Sequence, residues 1–220
     1  MRSAKIQEYG FSNEEFEIRL QRAQKLLYEN KLDALLITIP SNLRYFTGID
    51  TNFWESPTRP WFLVLPLSGS PIAIIPEIGE KLFKKTFVKD IQTWPSPNFN
   101  GDDISPLKSL LESLPSRFGA IGAELGKEMS IRMPLLDFVL LQDNFKFDIV
   151  DGASLIWALR SVKTLNEIKK IEKVAQIVSE VFENLPTIIS ADDRERDIAN
   201  KLKREILKKG ADNIPYLPVV

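Results

Sequence analysis

The chain has 220 residues, 44% of them hydrophobic and 27% charged, with a formal net charge of −1. That composition supports a sizeable core under an ordinary solvated surface, the length suits one complete α/β domain followed by something smaller, and the near-neutral charge gives nucleic acid or an anionic membrane no electrostatic hold. With neither cysteine nor histidine present, disulfides, thiolate nucleophiles, serine triads and histidine-bound zinc are excluded, and a reducing cytoplasm suits the chain.

Met1 to Phe11 contain no apolar run, so no signal peptide is expected, and no later stretch approaches the roughly 20 apolar residues that span a bilayer. Ser12 and Glu15 read as a capping box, after which Phe16, Leu20, Ala23 and Leu27 recur at helical spacing and predict a helix to about Asn30. Ala34 to Ile39 form an apolar run typical of a strand covered on both faces, which Pro40 is expected to end. Trp61 to Leu65 and Pro71 to Ile75 flank Leu67-Ser68-Gly69-Ser70 and predict a hairpin.

Beyond the hairpin the pattern predicts a helix near 77–85, a strand near 88–93, a helix at 103–114 and a strand at 120–123. A helix near 130–141 and a strand at 147–150 follow. Strands alternating with helices imply a mixed α/β sheet flanked by helices.

The pattern changes near Asp151. Thr164 and Glu167 form a second capping box, and Ile168, Ile171, Ala175, Val178, Phe182 and Leu185 then recur at gaps of three and four, so one long helix with a narrow apolar seam should run to Pro186. A further helix is expected from about Asp192 to Lys209, with Ile198, Leu202 and Ile206 on one face and Gly210 as its stop. Two such helices without a sheet cannot bury their seams alone, so 154–220 is expected to be a linker and the start of a second domain cut off early, after a first domain at 1–153.

Four segments carry a family resemblance. Ser41-Asn42-Leu43-Arg44-Tyr45-Phe46-Thr47-Gly48 looks like an S-N-x-x-Y-x-T-G turn, Ile121-Gly122-Ala123-Glu124 an I-G-x-E strand, Arg160-Ser161-Val162-Lys163 an R-x-x-K segment and Glu167-Ile168 an E-I pair. In that order they resemble the creatinase, prolidase and aminopeptidase P family: its N-terminal domain and the first helices of its pita-bread catalytic domain. Asn42, Tyr45 and Gly48 are expected to do structural work. Ser41 or Asn42 would cap a short helix, Tyr45 would pack inward with its hydroxyl bonded, and Gly48 would take positive φ.

The resemblance implies that full-length relatives hydrolyse Xaa-Pro bonds with two divalent metals (manganese, cobalt or zinc) held by two aspartates, a histidine and two glutamates. Those ligands lie downstream of the position matching Val220, so no catalytic or metal residue is carried over and the chain alone is expected to be inactive and cofactor-free. A dimer is expected. A proline-containing peptide becomes a partner only with the catalytic domain, and nucleic acid and membrane are not expected. The alternatives are a self-standing interaction or dimerisation module, or part of a non-peptidase relative such as a creatine hydrolase or lyase.

The acidic run Asp192-Asp193-Arg194-Glu195-Arg196-Asp197 opens a helix, where carboxylates complement the dipole, and is read as a solvated cap. Gly122 to Glu128 superficially resemble a phosphate-binding loop but fail on spacing and on the missing magnesium-binding hydroxyl. The loop Phe53 to Trp61 gathers tryptophans, prolines and Arg59. Trp54 and Arg59 are therefore candidates for a substrate entrance, set against a reading in which the tryptophans seal the sheet edge and Arg59 lies on the surface.

Overall fold

The computed structural model describes residues 10–56, 58–96 and 104–214. In chain order its elements are α1 (Asn13–Glu29), β1 (Ala34–Ile37), α2 (Pro40–Thr47), a 3₁₀ turn (Asn52–Glu55), β2 (Phe62–Pro66), β3 (Ile72–Pro76), a second 3₁₀ turn (Glu77–Gly79), α3 (Glu80–Phe83) and β4 (Asp90–Trp94). They continue with α4 (Ser105–Ser113), β5 (Ala120–Ala123), α5 (Leu135–Gln142), β6 (Asp148–Asp151), α6 (Ala153–Ser161), α7 (Leu165–Glu183), α8 (Leu185–Ile188) and α9 (Glu195–Lys208).

The strands form one mixed sheet in the order β4-β3-β2-β1-β5-β6. β2 is antiparallel to both β1 and β3, whereas β5 runs parallel to β1 and β6 parallel to β5. The unbroken apolar run of β1 is explained by cover on both faces: Leu35 and Ile37 join a core with α1, α2, α3 and α6, while Ala34 and Leu36 join a core with α4 and α5. Alternate side chains of a strand point to opposite faces, so a strand in the middle layer must be apolar at every position.

Several boundaries differ from the sequence reading. β1 stops at Ile37 because the backbone N–H groups of Thr38 and Ile39 are taken by the Glu124 carboxylate. Pro40 does not merely end the strand but occupies the first turn of α2, where its missing N–H costs nothing. The segment 41–48 is therefore mostly helix. The residue at its N-cap is Ile39, without a side-chain cap, so neither Ser41 nor Asn42 caps it.

α5 begins only after Pro134, since the residue before a proline is disfavoured in the helical region. The expected helix at 77–85 is a 3₁₀ turn followed by the short α3. The expected start of α4 at 103 and the strand-like approach at 215–220 lie outside the described residues. α6 and α8 were not anticipated. α6 buries Ala153, Leu155, Ile156 and Leu159, and α8 begins where Pro186 stops α7 and then serves in the next first turn.

Contacts divide the chain into two compact units, Met1–Val162 and Lys163–Val220. The division falls after α6, whose apolar residues belong to the core of the first unit. In the second unit Thr164 and Glu167 make the reciprocal capping box. α7 packs against α9, but the residues it buries are Ile177 and Val181, while Ile168, Ile171 and Phe182 of the anticipated seam are exposed.

Candidate functional site

β1 and β5 lie side by side and parallel, with Leu36 opposite Ala123. The residues just beyond their carboxyl ends therefore meet, at the position where open α/β sheets commonly place functional groups. Glu124, one residue past β5, is fully buried. Its Oε2 accepts from the backbone N–H of Thr38 (2.6 Å), the Thr38 hydroxyl (2.7 Å) and the backbone N–H of Ile39 (2.8 Å). Its Oε1 accepts from the Asn42 side-chain amide (2.6 Å). The two backbone donors open α2, so the carboxylate serves as an internal anion at a helix N-terminus.

Burial pushes the Glu124 carboxyl above its ordinary range, while the bonds from Asn42, Thr38 and Ile39 pull it back down. Arg160, in the last turn of α6, donates to Asn42 Oδ1 and lies 3.4 Å from Ser41 Oγ. That contact orients the amide, turning the NH₂ of Asn42 towards Glu124. The Thr38 hydroxyl accepts in turn from the backbone N–H of Arg132 (2.9 Å), and the Arg132 guanidinium donates to the carbonyl of Trp54 (3.1 Å). One carboxylate thus links the ends of β1 and β5, the start of α2 and, through its neighbours, α6 and the aromatic loop.

Tyr45 is buried, its hydroxyl donates to the Leu159 carbonyl (3.1 Å), and Gly48 stands at φ 75° at the end of α2. Above the Tyr45 ring, 4.3 Å from its centre, lies the guanidinium of the buried Arg19, which also lies 4.2 Å from the ring of Phe11 and donates to the Tyr45 carbonyl (2.6 Å). The S-N-x-x-Y-x-T-G, I-G-x-E and R-x-x-K segments are thereby brought into one network, to which they contribute Asn42, Glu124 and Arg160. Sequence reading quoted Glu124 and Arg160 within motifs without singling them out, and missed Thr38 and Arg132. An acid that ends an apolar strand was the available signal.

The other candidates fall elsewhere. Trp54 is buried and packs against Trp61, with ring centres 6.3 Å apart and 71° between planes, whereas Arg59 is exposed. The two do not share one open surface. At the phosphate-loop-like stretch a Cβ on Gly126 would come within 2.2 Å of Asp151 Oδ2, so a carboxylate lies against that backbone. Asp151 also accepts from the N–H of Ala153 at the start of α6 (2.8 Å).

In the acidic run, Asp193 pairs with Lys201 (2.6 Å) and accepts from the N–H of Ser190 (2.7 Å), and Asp197 accepts from the N–H of Arg194 (3.2 Å). The Lys201 hydrogen bond holds the Asp193 carboxyl below its usual range. Among the described residues no group of three or more metal-ligating side chains converges. They do not fit the two-metal centre that the family resemblance implies. No described helix is long and apolar enough to cross a membrane.

Comparison with known proteins agrees with this architecture. The family model for the creatinase/prolidase N-terminal domain matches residues 19–162. An uncharacterized peptidase of Staphylococcus saprophyticus is 24% identical over 202 residues, covering 90% of this chain and 52% of that protein. The chain therefore spans about half the length of the curated relatives it matches. Among solved structures, a prolidase from Thermococcus sibiricus superposes with a TM-score of 0.77 at 23% identity over 93% of this chain and 53% of its own. The dipeptidase PepE of Mycobacterium ulcerans does so with a TM-score of 0.71 at 23% identity, over 92% and 52%. At these identities the structural likeness shows the fold.

Proposed function

Because the chain belongs to the creatinase/prolidase N-terminal domain family, we propose that it is the non-catalytic N-terminal portion of a protein resembling Xaa-Pro-specific metallopeptidases. The observation that carries this reading is the Glu124 network, in which Arg160, Asn42 and Glu124, from three family-like segments, are linked in one hydrogen-bonded chain. A carboxylate whose four bonds close around it in the core holds a scaffold and leaves nothing exposed to react. By resemblance, full-length relatives hydrolyse Xaa-Pro bonds with two divalent metals, and the first unit of this chain supplies the framework beside that chemistry. Of the two entrance candidates, this reading keeps Arg59, which is exposed, for contact with a substrate.

The test is direct. The purified 220-residue chain, given manganese or cobalt and an Xaa-Pro dipeptide, should show no hydrolysis that a chelator removes. Chelator-sensitive turnover would overturn the reading.

A second reading, a dimerisation module, draws on the exposed Ile168, Ile171, Val174 and Phe182 of α7. Clustered exposed apolar side chains mark association surfaces. Light scattering should then give a dimer that Ile171→Glu converts to monomer, while a monomeric wild-type chain would dismiss this second reading.

A further inference from the structure

At the end of the sheet opposite Glu124, where β2 finishes and β1 and β5 have yet to begin, a cavity of about 330 Å³ opens between α1, the β2–β3 turn and the segment entering β5. That volume lies at the lower end of the range for small-molecule sites. Its walls are largely apolar, formed by Pro66, Leu67, Pro115 and the Tyr28 ring, with Gln24 and Arg117 as polar members. The Gln24 amide donates to the carbonyls of Pro66 (3.2 Å) and Gly69 (2.9 Å), which fixes the turn that makes one wall.

Arg117 is the informative residue. Its guanidinium lies 4.8 Å from the Tyr28 ring centre and 5.3 Å from that of Phe118, with Nη2 3.5 Å from the Tyr28 hydroxyl. Among the described residues it forms no ion pair. Asp33 also borders the cavity, but it is only 2% exposed and its oxygens accept from the backbone N–H groups of Arg117 (2.9 Å), Phe118 (3.1 and 3.0 Å) and Gly119 (2.7 Å). Those four contacts occupy both oxygens, so the acid serves the backbone and makes no ion pair with the guanidinium.

We infer that this cavity binds a small monocarboxylate with an apolar body, its carboxylate on Arg117 and its body against Tyr28, Leu67 and the two prolines. A planar guanidinium already stacked on aromatic rings is suited to a two-pronged carboxylate contact and loses little freedom in making it. The charge count favours a single negative charge: one arginine faces the ligand, and the buried Asp33 nearby would oppose a polyanion. The proposal goes beyond the peptidase-scaffold reading and stands independently of it.

The experiment is an NMR titration of the full chain with phenylacetate, using phenylacetamide as the neutral isostere. Phenylacetate should produce saturable, millimolar shifts at Gln24, Tyr28, Leu67 and Arg117. Phenylacetamide should bind about tenfold more weakly, as expected when a charge-assisted hydrogen bond is lost. Arg117→Gln removes an exposed side chain, so the fold should persist. It should weaken phenylacetate by about tenfold while leaving phenylacetamide unchanged. Equal binding of acid and amide, shifts centred elsewhere, or no saturable response would each overturn the proposal.

Discussion

Both oxygens of Glu124 are occupied by donors, three on Oε2 and one on Oε1. A glutamine there can keep its oxygen towards Thr38 and Ile39, but its NH₂ then faces the NH₂ of Asn42. Turning Asn42 over only moves the conflict to Arg160, because that guanidinium also donates. One donor–donor pair is unavoidable, so Glu124→Gln should lower the unfolding free energy at neutral pH by roughly 1–3 kcal/mol. An unchanged denaturant midpoint would show that the network is not tensioned this way. Asp193 gives the pH-dependent counterpart. Its carboxyl is held below the ordinary value of 3.8 chiefly by Lys201, so the stabilisation is present above that value and is lost as pH falls through the depressed one. Carboxyl-detected NMR should find its midpoint under 3.8 in the wild type and shifted upwards in Lys201→Met, where only the Ser190 donor still lowers it.

α2 ends because Gly48 takes a left-handed conformation, with its N–H bonded to the Arg44 carbonyl. A Cβ at that glycine would also come within 2.7 Å of the Phe16 ring. Gly48→Ala combines strained φ with overpacking and should cost about 1–3 kcal/mol, measured by thermal or denaturant unfolding. At the start of α7, Thr164→Ala removes one half of a reciprocal cap and should cost about 1 kcal/mol. Elements marked by caps and clear periodicity were legible in this way, as α1, α7 and the β2–β3 hairpin show. α6 was not. It is short, Gly152 gives it no side-chain cap, and Leu155, Ile156 and Leu159 reveal a helical face only once α1 lies beside them. The Glu124 site was legible as motif fragments and illegible as a site, because its members lie far apart in the chain, Asn42 and Arg160 by 118 residues.

The two cores both lie within the first unit, and α6 completes one of them. A fragment ending at Val162 should therefore give the circular dichroism spectrum of a folded α/β domain and unfold cooperatively. A fragment ending at residue 153 loses Leu155, Ile156 and Leu159, the carbonyl that receives the Tyr45 hydroxyl, and Arg160. It should fail to give a cooperative transition. Similar behaviour of the two fragments would remove α6 from the folding unit.

Sequence alone determined the mixed α/β class, the middle-layer character of β1, the capped start of α7 and the family resemblance, since each rests on local spacing or on short motifs in fixed order. Tertiary structure decided which residues those motifs bring together. Asn42, Glu124 and Arg160 become neighbours because β1 and β5 pair in parallel and α6 returns to the same end of the sheet. It also decided that Trp54 is core and that α7 buries Ile177 and Val181 instead of its anticipated seam. A hydrophobic pattern records that a face needs cover, whereas the choice of cover depends on contacts between residues far apart in the chain.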